Sequence, residues 1–486
     1  MSSIFSGYSI AVSGMMANKD ALTVSSHNIS NVNTAGYSRQ RTVMAEVKGA
    51  CGLGAGTTLE EITRARDQYL DRNYRRENAG LGYWTTKSAN LTDIQEMLNE
   101  LQSDDGTSDS GLQQVITDYF DSWDDLATDA GSMESRNAVL AAAKAMLDMV
   151  GQITGQLSQL RRDCITKVED AVDELQDTAR KIATLNLQIK QLEARDVEAD
   201  DLRDQRDQLI DEISSLTNLT VNEQADGMVD VSIGGIPLVQ GESSFPLVCQ
   251  GDGSGDDPLT VYAVDFDTTV RISSGSIKAY LEEADQTGVA VIGEADIPYN
   301  LTTGSAGNIS NMWQALNDMV TTLAYKVNEL QTAGVDANGD AGIAFFTTVD
   351  ATRPLALDNI QINPELDYNK ISTGTTGESE DSSLAAQIAE LDEEDCFQFD
   401  GLTMDLDNFY QKIISWLGTT GETAESAYDN QSTLLLQVDT QRQSLSAVSL
   451  DEEMSNMIMY QNIYSASAQV LSLLDSLTEE LIEELG

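Results

Sequence analysis

The positions of the proline residues constrain the fold of this 486-residue chain more than any other feature. All six prolines lie between Pro237 and Pro364, so the first 236 residues and the last 122 contain none. Proline in a helix interior costs about 3 kcal/mol, because its ring clashes with the preceding turn and it lacks an amide proton. The distribution therefore predicts helical ends and a non-helical middle.

Apolar residues recur at steps of three or four along most of the proline-free parts, which is typical of a helix with one buried face. The longest run covers residues 134–192 and would be on the order of 90 Å long as a helix. Because such a helix needs other long helices beside it, the pattern predicts a bundle. Further helices are predicted at residues 62–102, 112–126, 200–216 and 309–330, and near 384, 409–416 and 424–443.

Both ends of the chain carry a heptad stripe, the pattern of a helix that packs along a second helix. Because the two stripes have similar lengths, we expect the two terminal helices to pair as a coiled coil. The first stripe comprises Ile4, Tyr8, Ala11, Met15, Leu22, Ser25, Ile29 and Val32. The second lies in residues 450–485 and comprises Leu450, Met454, Met457, Tyr464, Ala468, Leu471 and Leu474.

The middle of the chain has the alternation of β-strands instead. Val229, Val231 and Ile233 alternate with polar residues, and glycine-rich turns follow. Residues 42–62 predict a separate hairpin. The predicted fold class is therefore mainly α with an inserted β domain: paired terminal helices, a body of long bundled helices and a small β domain. We place the terminal coiled coil at residues 1–40 and 446–486, the helical bundle at 41–219 and 301–445, and the β domain at 220–300.

The charge is strongly negative and unevenly distributed. The formal net charge is −52, but residues 1–80 carry a net +2, so the remaining 406 residues carry −54. Such a body repels nucleic acid and anionic membranes, which argues against both as partners. No apolar run approaches the ~18 residues of a membrane span, and no cleavable secretory signal is recognisable. Taken alone, that absence favours a cytoplasmic protein.

Residues that could carry catalysis or bind a metal form no complete motif. The single histidine, His27, has no cysteine beside it, and the four cysteines are at least 85 residues apart. Residues 336–340, Asp-Ala-Asn-Gly-Asp, are similar to the start of a calcium loop, but Ala341 and Thr347 stand where such a loop needs Gly and Glu. We therefore predict no catalytic residue, no cofactor, no metal site, and a chain that is not an enzyme.

Residues 28–41 interrupt the first heptad stripe, and they resemble a known signature. The order is Asn-Ile-Ser-Asn-Val-Asn-Thr-Ala-Gly-Tyr-Ser-Arg-Gln-Arg. Asn and Thr side chains compete with helix hydrogen bonds, and Gly36 permits a positive φ, so a helix stop is one interpretation. The order also resembles the N-terminal signature of bacterial flagellar axial proteins, the rod, hook and hook-associated proteins. Ala35 stands where that family usually has Pro.

Three further stretches narrow the resemblance to the hook-associated protein 1 family, the proteins of the first hook–filament junction. The first is Asp-Leu-Arg-Asp-Gln-Arg-Asp-Gln-Leu at 201–209, and the second is the glycine-rich segment 334–342 followed by Phe345 and Phe346. The third is Val-Ser-Leu-Asp-Glu-Glu-Met at 448–454. Members often carry a second β domain after the Phe-Phe pair, where this chain has only roughly forty irregular residues.

The resemblance implies a structural role outside the cell. Members leave through the flagellar type III export apparatus without a cleaved signal, which replaces the cytoplasmic expectation. They form a tubular layer at the hook tip and provide the base for the next junction protein and the filament. The implied partners are copies of this chain, the hook protein, the second junction protein and a dedicated export chaperone, with no nucleic acid and no membrane insertion.

The resemblance also assigns roles to particular residues. In the N-terminal motif it assigns assembly to Asn28, Asn31, Asn33, Thr34, Gly36 and Tyr37. In the C-terminal helix it assigns assembly and chaperone binding to Leu450, Met454, Met457, Tyr460, Tyr464, Ala468, Leu471 and Leu474.

Two alternatives remain open. The chain could be another axial protein, such as the hook protein or the second junction protein, although residues 201–209 and 448–454 argue against these. It could also be a secreted enzyme anchored by axial-type ends, although the β region carries no catalytic motif.

Overall fold

The computed structural model describes residues 2–48, 54–98, 111–195, 197–287, 289–303, 307–376, 378 and 380–485. Its helices are α1 Ser2–Ser30, α2 Gln68–Leu98, α3 Leu112–Thr128, α4 Met133–Glu193, α5 Asp200–Ile213, α6 Ser276–Ala284, α7 Asn308–Ala333, α8 Ser383–Ala389, α9 Leu406–Ser446 and α10 Leu450–Leu485. Its strands are β1 Gln40–Lys48, β2 Gly54–Arg64, β3 Leu219–Glu223, β4 Val229–Ile233, β5 Ile236–Gln240, β6 Ser243–Ser244, β7 Leu247–Gln250, β8 Thr260–Ala263, β9 Thr268–Thr269, β10 Asn300–Leu301, β11 Phe346–Thr347, β12 Gln361–Ile362, β13 Phe397–Phe399 and β14 Leu402–Met404.

The predicted fold class is confirmed, since long helices form both ends of the chain and small sheets form its middle. The longest predicted helix is α4, whose residues at three- and four-residue steps are buried. Two details were wrong. The helix expected from residue 62 begins only at Gln68, because β2 continues to Arg64. The two helices expected at 409–416 and 424–443 are the single helix α9. Gly418 and Gly421 leave it unbroken, because a glycine inside a helix costs only about 1 kcal/mol. A Cβ at Gly421 would lie 2.4 Å from Gln95 Nε2, so the glycine allows close packing.

The chain divides into two compact units. Unit 1 comprises residues 1–80, 174–246 and 432–486, and unit 2 comprises residues 81–173 and 247–431. The strands of residues 220–300 are thus shared between the units, with β3 to β6 in unit 1 and β7 to β10 in unit 2. The three-part division expected from the sequence is a different grouping, and it stays a prediction.

Unit 1 contains the terminal helices, the β1–β2 hairpin, α5 and an antiparallel sheet of β3, β4, β5 and β6. The β4–β5 turn is made by Gly234 and Gly235, whose positive φ values suit a tight hairpin. The sheet packs its valines inward, and Val231 and Val239 pair across β4 and β5 with almost no exposed surface.

Unit 2 has an aromatic core. Trp123 of α3 and Phe345 have ring centroids 5.8 Å apart, and Phe345 and Phe346 are 4.8 Å apart. All three side chains are fully buried. The Phe-Phe segment singled out in the sequence is therefore a packing element of unit 2.

The terminal helices α1 and α10 pack against each other in unit 1. A Cβ added at Gly7 would lie 3.4 Å from Leu474 Cδ1, and one at Gly14 would lie 3.5 Å from Ser467 Oγ. The position on α10 falls as that on α1 rises, so the helices are antiparallel. The predicted pairing is therefore present.

The buried side of α1 differs from the predicted stripe. Ala11 and Ser25 are buried as expected, whereas Tyr8 is 43% exposed. The side chain of Ile4 lies outside the described part of the chain. Small and polar residues occupy most of the buried side, because the two backbones approach closely at Gly7 and Gly14. The buried residues of α1 are Ala11, Ala17, Asn18, Ala21, Val24, Ser25 and Asn28.

The β1–β2 hairpin lies against α1. At the crossing point Gly56 has a φ of +123°, and a Cβ there would come within 1.9 Å of Ser13 Oγ. The Thr57 amide donates to that hydroxyl at 3.2 Å. Among the described residues, no helix has the length and apolar content needed to cross a lipid bilayer.

Candidate functional site

Asn28, in the last turn of α1, is the polar centre of the motif at residues 28–41. It is 1% exposed. Its Nδ2 donates to the carbonyl of Gln40 at 2.9 Å, and the Gln40 amide donates to Asn28 Oδ1 at 3.0 Å. The Tyr37 hydroxyl donates to the same oxygen at 2.8 Å, and His27 Nδ1 lies 3.1 Å from that hydroxyl. One asparagine therefore closes the chain reversal between α1 and β1.

The outer side of this reversal depends on Gly36. Its φ is +76°, as predicted, and a Cβ there would lie 2.7 Å from Gln208 Oε1 on α5. The Thr34 hydroxyl donates to Asn31 Oδ1 at 3.1 Å, while Asn33 is exposed. Any side chain at position 36 would be strained in φ and would also collide with α5.

Three carboxylates of α5 face the end of this reversal. Asp204, Asp207 and Asp211 follow one another at three- and four-residue steps, so they share one face of the helix. The Ser38 amide donates to Asp204 Oδ2 at 2.7 Å. Asp204 and Asp207 are 5% and 7% exposed, so both carboxylates need partners within the protein.

Arginines from β2 and α2 supply those partners. Arg64 Nη1 lies 2.8 Å from Asp204 Oδ1 and 2.9 Å from Asp207 Oδ2. Arg75 Nε lies 2.6 Å from Asp211 Oδ1. Because buried ion pairs leave an uncompensated charge when one partner is removed, each break is expected to cost about 3–5 kcal/mol.

The pKa shifts of the aspartates show where the arginines offset the negative charge of this cluster. Burial alone would raise the pKa of Asp207, but the guanidinium groups of Arg66, Arg206 and Arg64 hold it well below its usual range. Burial raises the pKa of Asp200, at the edge of the cluster, to about 6. Burial also raises the pKa of Asp204, although Arg64 and the Ser38 amide lower it in part. The arginines thus compensate Asp207 fully and Asp204 and Asp200 only in part.

Arg39 joins the same motif to the start of α10. It is 7% exposed, and its Nε donates to Glu453 Oε1 at 2.7 Å while its Nη1 donates to Glu452 Oε2 at 2.8 Å. The Arg39 amide also donates to the carbonyl of Ser446 at 2.9 Å, at the end of α9. Glu453 is 2% exposed, so this ion pair is buried.

Arg442, in the last turns of α9, extends the ionic cluster further. It pairs with Asp211 of α5, and its guanidinium lies 3.7 Å from the ring centroid of Tyr74. The cluster therefore ties together α2, α5 and α9 around the N-terminal motif.

Large apolar side chains cover the outward sides of the paired terminal helices. Single exposed apolar residues are common on protein surfaces, whereas rows of them mark binding surfaces. On α1 the exposed residues are Tyr8, Ile10 and Met16; on α10 they are Leu450, Met454, Ile458, Met459, Ile463, Tyr464, Val470, Leu473, Leu477 and Ile482.

The described residues offer no metal centre, since no group of three or more His, Cys, Asp or Glu among them could hold a metal ion. At the loop similar to a calcium site, Asp336 Oδ1 accepts the amides of Asn338 and Asp340 at 2.8 and 2.9 Å. Asp336 Oδ1 therefore stabilises the turn.

Comparison with known protein families identifies the family of this chain. Residues 93–346, more than half of the chain, match the family described as the flagellar hook-associated protein FlgK helical domain. The chain belongs to this family. Residues 9–37 also match the flagella basal body rod protein family, and residues 424–484 match the C-terminal family of the flagellar basal body rod FlgEFG proteins. The FlgK-family chain is accordingly a flagellar structural protein.

Curated relatives align with the chain over nearly its whole length. Flagellar hook-associated protein 1 of Bacillus subtilis is 28% identical over 514 aligned positions, which cover 100% of this chain and 99% of the relative. The protein of the same name from Escherichia coli is 25% identical, covering 97% of this chain and 98% of the relative. That alignment spans 568 positions, more than the 486 residues here, so the relative carries residues that this chain lacks.

A solved structure shares the fold. The flagellar hook junction protein FlgK from Burkholderia pseudomallei superposes with a TM-score of 0.60 at 15% identity. The match covers 76% of this chain and all of the other chain.

The structure of this FlgK-family chain brings together three motifs that are far apart in sequence. Residues 28–41 contact residues 201–209 through Ser38 and Asp204, and they contact residues 448–454 through Arg39 and Glu453. Of the expected assembly residues on α10, Leu450, Met454 and Tyr464 are exposed. The others on that helix are half-buried, namely Met457, Tyr460, Ala468, Leu471 and Leu474.

Sequence reasoning missed the charged residues that join these motifs. Asp204 lies in the motif at 201–209, Glu453 in the motif at 448–454 and Arg39 in the signature at 28–41, but the sequence alone gives none of the three a role. A usable signal existed in α5, where the aspartates share one helix face although the helix has only two apolar residues buried on it, Ile210 and Ile213. Such an acidic face needs cations within the fold.

Proposed function

We propose that this FlgK-family chain is a structural subunit of the junction between flagellar hook and filament. It assembles with copies of itself as a tubular layer at the hook tip and provides the base for the second junction protein and the filament. The observation that carries this proposal is the pair α1–α10, which buries small residues inside and exposes rows of large apolar residues outside. Copies of the chain would bury those rows against one another. The names of the relatives and of the solved junction protein support the location.

The proposed role is structural and not enzymatic. Partners are further copies of the chain, the hook protein, the second junction protein and a dedicated export chaperone. The chain would reach the outside of the cell through the flagellar type III apparatus without a cleaved signal. The exposed apolar row of α10 supports the chaperone as a partner, because such a surface needs cover before assembly.

The residues of the N-terminal motif are proposed to set the angle between the terminal helices and the rest of unit 1. Asn28, Gly36 and Tyr37 fix the chain reversal through the contacts described above. The Thr34 hydroxyl braces it by donating to Asn31 Oδ1, and the exposed Asn33 is assigned to contact with a neighbouring copy.

Deletion of the gene tests the proposal. Cells that lack the chain should export filament protein into the medium, carry intact hooks and fail to swim. Full-length chain supplied from a plasmid should restore attached filaments. Attached filaments in the deletion strain would overturn the proposal, whereas missing hooks would place the chain earlier in assembly.

A further inference from the structure

The turn that follows α7 contains the one Asn-Gly dipeptide of the chain, Asn338–Gly339. An asparagine side chain can react with the backbone amide of the next residue, and glycine favours this reaction because it has no Cβ to crowd the approach. Both residues are exposed. Gly339 has a φ of +85°, and a Cβ added there would meet no residue beyond its neighbours within 4 Å. The dipeptide therefore has water and free space around it.

One residue, Asp336, holds this turn closed. The Gly339 amide donates to the Asp336 carbonyl at 3.0 Å, and the amides of Asn338 and Asp340 donate to Asp336 Oδ1 at 2.8 and 2.9 Å. The Asn338 side chain adds only a long contact, from Nδ2 to Asp336 Oδ2 at 3.3 Å. Because these bonds all end on one residue and residues 337–340 are exposed, the turn can open locally.

Opening of the turn frees the two reacting groups. The Gly339 nitrogen attacks Cγ of Asn338, so that an N–Cγ bond forms and the Cγ–Nδ2 bond breaks. The proton of the Gly339 amide leaves with Nδ2 as ammonia, and a cyclic imide remains. Water then opens the imide. Cleavage of the new N–Cγ bond leaves an aspartate, whereas cleavage at the backbone carbonyl carbon leaves an isoaspartate, whose main chain runs through Cγ and is one methylene longer.

We propose that Asn338 is a site of spontaneous deamidation in the folded chain, with water as the co-reactant, and that Asp336 limits the rate by keeping the turn closed. The observed rate is then the rate in the open turn multiplied by the fraction of chains whose turn is open. This inference does not depend on the proposed function.

Both products weaken the turn. An aspartate at position 338 places a carboxylate where the amide of Asn338 now lies 3.3 Å from Asp336 Oδ2, so attraction is replaced by repulsion between like charges. An isoaspartate lengthens the main chain and moves the Gly339 amide away from the Asp336 carbonyl. The Ala337 amide also donates to the carbonyl of Asn369 at 2.9 Å, so the change reaches a second segment of unit 2. Because ammonia is lost, the change is permanent.

Mass spectrometry of the full folded chain tests the site. The chain is incubated at mildly alkaline pH in water enriched in heavy oxygen, so that every amide converted during the incubation carries the label. Asn338 should convert faster than any other asparagine of the chain and yield both aspartate and isoaspartate. Asn33 is the matched reference, because it is also exposed but is followed by Thr34. Equal rates at Asn33 and Asn338, or no conversion of Asn338 in the folded chain, would overturn the proposal.

Variants of Asp336 test how the rate is set. Asp336→Ala should raise the rate at Asn338 at least about tenfold, because the turn loses two hydrogen bonds to a charged group. The urea-unfolded parent gives the upper limit of the rate. Unchanged fluorescence of Trp123, which packs beside Phe345, shows that unit 2 stays folded. Asp336→Asn keeps the shape and one acceptor oxygen, so it should give a smaller increase and carries the test if Asp336→Ala unfolds. The parental rate in both variants would overturn the role of Asp336.

Two substitutions of Asn338 itself complete the test. Asn338→Gln should show no conversion, because its longer side chain would have to close a larger ring. Asn338→Asp is a stable copy of one product. Hydrogen exchange over residues 334–342 should be roughly fivefold faster in Asn338→Asp than in the parent, since one hydrogen bond is lost. Parental exchange in Asn338→Asp would show that the product does not loosen the turn.

Discussion

At the residue scale, Asn28 shows how one side chain can fix the direction of a helix. Its amide satisfies both backbone groups of Gln40 and also accepts the Tyr37 hydroxyl. In Asn28→Ala the backbone groups of Gln40 and the Tyr37 hydroxyl lose this hydrogen-bond partner in a buried environment. We expect the opening free energy of this region to fall by about 2–3 kcal/mol, since buried unpaired polar groups cost about 1–3 kcal/mol each.

Hydrogen exchange measured by mass spectrometry over residues 24–42 reports this opening. Asn33→Ala is the matched control, because Asn33 lies in the same motif but is exposed, and it should change the opening free energy by less than about 0.5 kcal/mol. Equal effects of the two substitutions would show that Asn28 does not hold the turn.

A second residue predicts a pH dependence confined to unit 2. Asp318 of α7 is 1% exposed, and among the described residues its Oδ2 has no hydrogen-bond partner. Burial raises its pKa to about 7. Between about pH 4 and pH 7 the folded chain keeps this proton while the unfolded chain loses it. The raised pKa therefore lowers stability as pH rises, by about 1.4 kcal/mol per pH unit in that window.

Asp318→Asn removes the ionisable group, and with it this contribution to the dependence of the free energy of unfolding on pH. Urea unfolding of the parent and the variant at pH 5 and pH 8 measures the effect. The advantage of the variant should be about 2–3 kcal/mol larger at pH 8 than at pH 5. All four tryptophans, Trp84, Trp123, Trp313 and Trp416, lie in unit 2, so tryptophan fluorescence reports this unit. The same advantage at both pH values would contradict the assignment.

At the scale of elements, the terminal helices reverse the usual arrangement of large and small residues. Their contact is made at small residues such as Gly7 and Gly14, while large apolar side chains such as Leu473 face outward. Periodicity detects a stripe, but it cannot tell which of two neighbouring stripes a partner in the same chain will cover. That is why the pairing was predictable and its buried residues were only partly so.

Two adjacent leucines separate the roles of the inner and outer faces. Leu474 packs over Gly7 on α1, and its replacement by Asp should loosen the helix pair in the isolated chain. Leu473 is 62% exposed, so Leu473→Asp should leave the isolated pair intact and still prevent attached filaments in cells. Circular dichroism of the purified variants and electron microscopy of cells expressing them measure the two effects. A Leu473→Asp strain with normal filaments would remove the outer face from the assembly.

How much of the structure the sequence could predict depends on the range of the interaction. Helix α4 follows from the absence of proline and from apolar spacing, both of which are local. The chain reversal at residues 28–41 follows from Asn and Gly, which act within a few residues. The ion pair of Arg39 with Glu453 joins residues 414 positions apart and has no period, so nothing in one sequence indicates it.

At the scale of the whole molecule, the charge opposes the assembly that the apolar surfaces favour. The chain carries a net −52, and most of that charge lies outside residues 1–80. The buried arginines of unit 1 are already paired with aspartates, so they neutralise little on the outside. Copies therefore repel one another at long range and attract one another at short range.

This balance predicts that purified chain associates more strongly as salt concentration rises. At about 0.01 M ionic strength charges interact over about 30 Å, whereas at 1 M the range falls to about 3 Å and apolar contact remains. Sedimentation velocity of the full chain in 0.01, 0.15 and 1 M NaCl should show monomers at the lowest NaCl concentration and increasingly large oligomers at the two higher ones. Sucrose at matched osmolality should not replace NaCl, and association that weakens as NaCl rises would show that attraction between charges, not apolar contact, joins the copies.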